Sequence, residues 1–354
     1  MGYEQGSSNL IRLVSSQPDT QKIPQTTFSE DTVDWFRKQR SGHMAKWLFS
    51  SPKFDGDKAC GATVWEKVIA QAKTNSDYYV FQDELSIINA ALPKLKNHFK
   101  SPLTLVDLGP GSKDAIESKT CPIISELHSL VRQYISIDTN QDFLKSAHQI
   151  ISGYYPQVAN GSLCLDFIED SFRFPAKENT TVGLVFGITL CNMLIDPREK
   201  DLSIFLLASS FRRLRSHFST AEGYLIITQD TNQDERKLKA AYTAISEYFY
   251  PLLHRIRRDL AVFGNYDPKN FSLDLQFIKE TKAFSVSFVA DKKMTFTVDG
   301  NLINLKAGDR LYMGNSFKFD KTQFLEVANS AGFSHIETIE QPNNPCILHI
   351  MKTK

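Results

Sequence analysis

Between Leu103 and Asp230 five short apolar runs, LTLVDLG, YISIDT, GSLCLDFI, VGLVFGIT and GYLIITQD, alternate with helix-length stretches such as CPIISELHSLVRQ and DLSIFLLASSFRRLRSHF. Runs rich in Val, Ile and Leu belong to strands covered on both faces, and strands separated by helices pair in parallel through crossover connections. The alternation predicts an α/β fold with a doubly wound parallel sheet. Its flanks differ. From Phe28 to Leu95 the segments TVDWFRKQ, HMAKWLF, ATVWEKVIAQA and DELSIINAALPKL repeat apolar residues at helical spacing. After Asp230 a long helical stretch, KLKAAYTAISEYFYPLLHRIRRDLAVFG, leads into period-two segments, AFSVSFVAD, MTFTVDG and DRLYMGNSFKF, which predict antiparallel strands with a hairpin turn at VDGN. TQFLEVANSAGF, SHIETIE and CILHIMK predict a helix and a hairpin that close the sheet.

These shifts divide the 354 residues into an arm at 1–27, a helical part at 28–80, the sheet domain at 81–232 and 317–354, and an inserted part at 233–316. With 41 Lys and Arg against 40 Asp and Glu, the net charge of +1 argues against a nucleic-acid or anionic-membrane partner and for a small molecule. RSHF and HRIRRD read as solvated helix faces. The longest apolar run, VGLVFGITLCNMLI, is too short to span a bilayer, and no leader pattern opens the chain. Five cysteines without a C-x-x-C pair read as buried small hydrophobes in a reduced, cytoplasmic protein. None of the eight histidines forms a metal pair such as H-x-x-x-H, so no metal is expected.

Ligands of doubly wound sheets bind at the carboxyl ends of the strands. There the first strand ends in Asp107, Gly109 and Gly111, where glycine permits a sharp turn and close approach of a ligand. The second ends at Asp138, placed to accept from ribose hydroxyls, and the third at Asp166 and Phe167, placed to read and stack on an adenine. Each acid alone is as readily a loop residue or a cap, but three at successive strand ends favour adenosine. A dinucleotide site wants a third glycine where Asp114 stands, and a carboxylate there repels a pyrophosphate.

The D-L-G-P-G form resembles the first motif of class I S-adenosylmethionine-dependent methyltransferases. Further segments resemble the histidine-specific methyltransferases of ergothioneine biosynthesis and the related dimethylallyltryptophan N-methyltransferases: SPKF, DYYVFQDE, LVDLGPGS, YISIDTNQDFLKSA, VFGITLCNML, LKAAYTA and YMGNSFKFD. The resemblance runs from Phe28 to the C-terminus. It implies a class I methyltransferase, Rossmann-like sheet with a second, smaller α+β substrate domain, S-adenosyl-L-methionine as cofactor, and a monomer.

Residue by residue, it implies that Asn192 and Tyr242 hold the substrate's carboxylate and amine, with Gly187 and Thr189 in the same G-x-T turn. Tyr79 and Lys119 would lie beside the cofactor, and Phe54 and Ser316 beside the substrate. Taken singly, Tyr242 reads as core, Asn192 as a turn residue and Ser316 as a strand hydroxyl satisfying a neighbour.

Three departures qualify the match. The usual T-R-x-E reads Phe81, Gln82, Asp83, Glu84, without the arginine; the loop after Gly111 is longer; and Gly314 stands where histidine-methylating members carry an acid. The expected activity is therefore N-methylation of an amino-acid-like amine, aromatic and tryptophan- or tyrosine-derived rather than histidine. The alternative is a non-catalytic S-adenosylmethionine-binding or regulatory protein on the same fold.

Overall fold

The structure is a computed structural model and describes residues 27–38, 44–50, 60–75, 77–174, 179–192, 200–218 and 223–354. Phe54 and nearly all of the expected arm lie outside the described residues.

Helices α1 (Phe28–Lys38), α2 (Lys46–Phe49), α3 (Gly61–Ala72) and α4 (Tyr79–His98) precede the sheet. The alternation follows as β1 (Leu103–Leu108), α5 (Lys113–Ala115), a π-helical turn at Ile116–Thr120, α6 (Cys121–Glu126), β2 (Val131–Asp138), α7 (Gln141–Tyr154), β3 (Ala159–Cys164), β4 (Thr180–Val185), α8 (Thr189–Asn192), α9 (Lys200–His217) and β5 (Gly223–Asp230). Next come α10 (Glu235–Ala244), α11 (Pro251–Asp259), β6 (Val262–Gly264), β7 (Phe271–Ile278), β8 (Ala283–Ala290), β9 (Met294–Val298), β10 (Asn301–Leu305) and β11 (Arg310–Phe317). The chain closes with α12 (Lys321–Ser330), β12 (Phe333–Ile339) and β13 (Cys346–Thr353).

The seven-stranded sheet runs β12-β13-β5-β4-β1-β2-β3, with β1 to β5 parallel and β13 antiparallel to both β5 and β12. All six residues of β1 are buried, as the unbroken apolar run required of a central strand. The order reverses between β1 and β4, so the loops after these strands diverge and open a crevice there.

Two three-stranded antiparallel sheets, β10-β9-β6 and β11-β8-β7, lie outside the main sheet. The β9–β10 hairpin turns at Asp299 and Gly300, both at positive φ, as the expected VDGN turn demands. A second hydrophobic core joins Trp35, Phe36 and Leu48 from the N-terminal helices to Leu252, Phe288 and Phe296 from the inserted part.

Some local expectations are corrected. The stretch read as one helix from Lys237 breaks at Ile245–Tyr250, where a 3-10 turn precedes Pro251, a residue that starts a helix readily but cannot continue one. In HRIRRD, Arg255 is buried, its guanidinium 4.4 Å from the ring centroid of Phe28 and 5.3 Å from that of Trp47. In RSHF, His217 is buried as well. Four cysteines are buried, but Cys164, at the end of the edge strand β3, is exposed. Among the described residues no helix is long and apolar enough to cross a membrane.

Candidate active site

A cavity of about 410 Å³ opens between the ends of β1, β2, β3 and β4 and the second core. Of the residues singled out from sequence, Asp107, Gly109, Gly111, Lys119, Asp138, Asp166, Phe167, Gly187, Thr189, Asn192, Tyr242, Gly314 and Ser316 all line it.

At the β1 end, Gly109 and Gly111 have φ of +80° and +71°, a region that strains any side chain. Asp107 does not simply face a ligand, because its Oδ2 accepts from Thr120 Oγ1 (2.7 Å) and Tyr134 Oη (3.0 Å). Burial raises its carboxyl to about 6 against these two donors. It therefore anchors the π-helical turn to β1. Lys119, within that turn, reaches the cavity wall.

Asp138, at the end of β2, accepts from the Asn140 N–H (2.8 Å), and burial pushes its carboxyl up to about 7. Asn140 caps α7 through Oδ1 and donates from Nδ2 to Phe49 O (2.7 Å), which ties α2 to the cofactor end. Asp166 Oδ1 holds a turn by accepting from the N–H groups of Ile168 (2.8 Å) and Glu169 (3.1 Å). The loop carrying Asp166 and Phe167 is also held by two side chains of α9, of which His217 belongs to the RSHF segment expected to be a solvated face. Arg213 Nε donates to Ile168 O (2.9 Å), and the ring nitrogens of His217 lie 2.7 Å from Phe167 O and 3.0 Å from Phe172 O. A histidine inside RSHF carries no mark of such a role.

Tyr79 is not on the cavity wall, contrary to expectation. Its neighbour Tyr78 is, while Tyr79 Oη donates to Asp230 Oδ2 (2.8 Å). Successive residues at the start of a helix point in different directions, so only one of the pair faces the ligand. Gln82, in place of the arginine, donates to Ala72 O (2.6 Å) and does not reach the cavity.

On the opposite side, the ring of Tyr242 stacks on Phe284 at 4.1 Å between centroids while also lining the cavity, so it is both core and wall. Ser316 Oγ accepts from Lys318 Nζ (3.1 Å), whose main partner is Asp230 Oδ2 (2.6 Å) in an ion pair with both side chains fully buried. Burial alone would lower the Lys318 ammonium, but the Asp230 carboxylate raises it above its ordinary value. The pair fixes the end of β11 to the end of β5.

Gly314 follows a register shift at Met313, and a Cβ built on it meets only Ala45 Cβ, at 3.5 Å. Phe284 and Phe317 do not line the cavity; besides Phe167, Phe186 and Tyr242, its aromatic lining is Phe49, Trp65, Tyr78, Phe143, Tyr248 and Phe249. Trp65 packs on Tyr248 at 4.9 Å and Phe49 on Tyr248 at 5.6 Å. These rings come from α2, α3, α7 and the helix break, whose convergence no local pattern shows.

The donor set fits S-adenosylmethionine. Two glycines at positive φ and one half-buried acid at the end of β2 make an adenosine cradle, while Asp114 is paired with Lys73 (2.6 Å) and Lys119 with Glu84, so neither lysine is set to hold a pyrophosphate.

A protein of Sinorhizobium fredii, y4iF, is 23% identical over 311 residues, covering 82% of this chain and 98% of its own length. Among solved structures, an S-adenosylmethionine-dependent methyltransferase from Clostridium acetobutylicum aligns over 80% of this chain and 94% of its own, at 12% identity and a TM-score of 0.40. The magnesium protoporphyrin IX methyltransferase of Synechocystis with bound S-adenosylhomocysteine aligns over 82% and 93%, at 10% identity and a TM-score of 0.42. The family model for histidine-specific, S-adenosylmethionine-dependent methyltransferases matches residues 28–353, and the chain belongs to that family.

Proposed function

We propose that this methyltransferase acts on the amine of an amino-acid-like substrate with a large aromatic side chain, tryptophan- or tyrosine-derived, and not on histidine. The observation that carries the reading is the cavity lining, which includes the rings of Phe49, Trp65, Tyr78, Phe143, Tyr248 and Phe249 together with Gly314, the position where the family resemblance implies an acid in histidine-methylating members.

The cofactor supplies an electrophilic methyl on a sulfonium, so displacement asks the protein mainly for placement and a dry cleft. In this reading Asn192, at the end of α8, and Tyr242, fixed by its stack on Phe284, bind the head group and aim the amine. The nucleophile is the neutral amine; its reference pKa of about 8 leaves a usable fraction at neutral pH, and desolvation by the aromatic wall increases it. No dedicated base is required, and the departing proton passes to solvent. An acid beside a neutral indole or phenol would be a buried charge that the ring cannot neutralise, whereas Gly314 leaves none.

Two departures favoured a non-catalytic protein. Gln82 sits outside the cavity and Lys119 lines it, so neither departure removes a side chain from the cavity wall, and formation of S-adenosylhomocysteine separates an active enzyme from a binding protein. The test is methylation of histidine, tryptophan, tyrosine and prenylated tryptophan side by side. Preference for the aromatic amines supports the reading, and preference for histidine overturns it.

A further inference from the structure

Glu84 was notable in the sequence only as the last residue of FQDE, yet its carboxylate is completely buried and takes three donors from three distant segments. Oε1 accepts from the Gly187 N–H (2.5 Å) and from Thr228 Oγ1, and Oε2 pairs with Lys119 Nζ. Lys119 also stands 4.9 Å from the ring centroid of Phe81, one helical turn before Glu84 on α4. The carboxylate thus bridges the π-helical turn after β1, which lines the cofactor cradle, and the turn after β4, which leads into Thr189 and Asn192.

Both ends of this bridge are unusual backbone. The π-helical turn is a form that persists where surrounding contacts impose it. In the β4 turn, Gly187 has φ of +72° and the following Ile188, a β-branched residue, φ of +57°. Left-handed backbone at such a residue is costly and survives only where it is held. Thr189 Oγ1 donates to Phe186 O (2.6 Å), which closes the turn on itself, and the Gly187 N–H on Glu84 fixes it to the rest of the molecule.

We propose that Glu84 is a positioning residue that holds the cofactor loop and the substrate turn in one register through Lys119 and the Gly187 N–H. The proposal rests on the cofactor and not on which amine is methylated. An in-line transfer tolerates little relative shift between the two loops, and one carboxylate that contacts both makes their placement a single event. It also gives cofactor occupancy a route to the substrate side, since a cofactor that draws Lys119 or its turn moves the acceptor of Gly187.

The test compares Glu84→Gln with Val327→Ala, a truncation in the buried core on α12 that touches neither loop. Glutamine keeps an oxygen for Gly187 and removes the counter-charge of Lys119. Titration of S-adenosylhomocysteine is expected to show affinity at least tenfold weaker in Glu84→Gln, in line with loss of a charged hydrogen bond, and changed less than about twofold in Val327→Ala. Hydrogen exchange supplies the second readout. Saturating S-adenosylhomocysteine should protect the peptide Leu184–Cys191 in the wild type and protect it less than half as much in Glu84→Gln.

Should the single variant fail to fold, Glu84→Gln/Lys119→Met removes both buried charges and is expected to fold while still lacking that protection. Equal weakening of cofactor binding in the core variant, or full protection of the β4 turn in either Glu84 variant, overturns the proposal.

Discussion

Asp138 offers the sharpest link between burial and ligand binding. Its carboxyl is pushed up to about 7 by burial, so the ligand-free protein holds a proton there through much of the neutral range. Ribose hydroxyls donate to the ionised form, so binding requires that proton to leave. With a pKa of about 7, roughly a quarter of the molecules are ionised at about pH 6.5 and roughly nine-tenths at about pH 8, which makes S-adenosylhomocysteine bind about fourfold tighter at the higher pH.

The contribution of Asp138 to the stability of the ligand-free protein moves the other way. A carboxyl raised above its unfolded value makes the folded state the better proton acceptor, so stability is lost as pH rises through the folded pKa, by about 1 kcal/mol between about pH 6.5 and about pH 8. The buried histidines His217 and His349 are shifted down from 6.5, so their unfolded forms still shed protons as pH rises through the lower part of this window, and the stability they gain there runs against the Asp138 slope. Calorimetric titration across the range, together with melting of the ligand-free protein, measures both slopes. Asp138→Asn should bind more weakly at about pH 8 and lose the pH dependence. A flat binding profile in the wild type, or the same pH slope of binding and melting in Asp138→Asn as in the wild type, refutes the assignment.

Asn192→Ala and Tyr242→Phe should each cost substrate use roughly ten- to a hundredfold, about 1.5 to 3 kcal/mol from a charged hydrogen bond, while cofactor affinity stays near that of the wild type; steady-state kinetics beside calorimetry checks this. Gly314→Glu should fold, since its Cβ meets only Ala45, and should depress activity on aromatic amines while raising that on histidine, as a paired competition assay would show. Lys318→Met leaves Asp230 buried without its counter-charge and should cost about 3 to 5 kcal/mol in urea unfolding, part of which Asp230→Asn in the same chain restores.

What could be read from the sequence divides along physical lines. Strands β1, β2, β4 and β5 were visible because burial on both faces writes them as continuous apolar runs, and the cradle glycines because a turn at positive φ leaves few other choices. Strand β7, FSLDLQFI, was passed over because it is largely half-exposed and interrupted by Asp274. The helix break at Ile245–Tyr250 was hidden by residues that keep helical spacing across it, and with it went two members of the aromatic wall, Tyr248 and Phe249.

Polar residues whose role lies in distant partners were the least legible. Lys318 looks like a surface lysine in GNSFKFD, yet it meets Asp230 from the other side of the inserted part. Glu84 meets Lys119, Gly187 and Thr228, none of them near it in sequence. Tyr78 and Tyr79 show the limit of motif transfer, because adjacent residues of one type divide between cavity wall and buried network.

The central claim is methyl transfer to the α-amine of an aromatic amino-acid-like substrate, and one measurement meets it directly. The purified protein is incubated with S-adenosylmethionine and the panel of histidine, tryptophan, tyrosine and prenylated tryptophan, S-adenosylhomocysteine is quantified, and tandem mass spectrometry locates the added methyl. The account predicts S-adenosylhomocysteine in step with a methyl on the α-nitrogen of the indole or phenol substrates. Cofactor binding without S-adenosylhomocysteine across the panel, or a methyl placed on histidine in preference to the others, would contradict it.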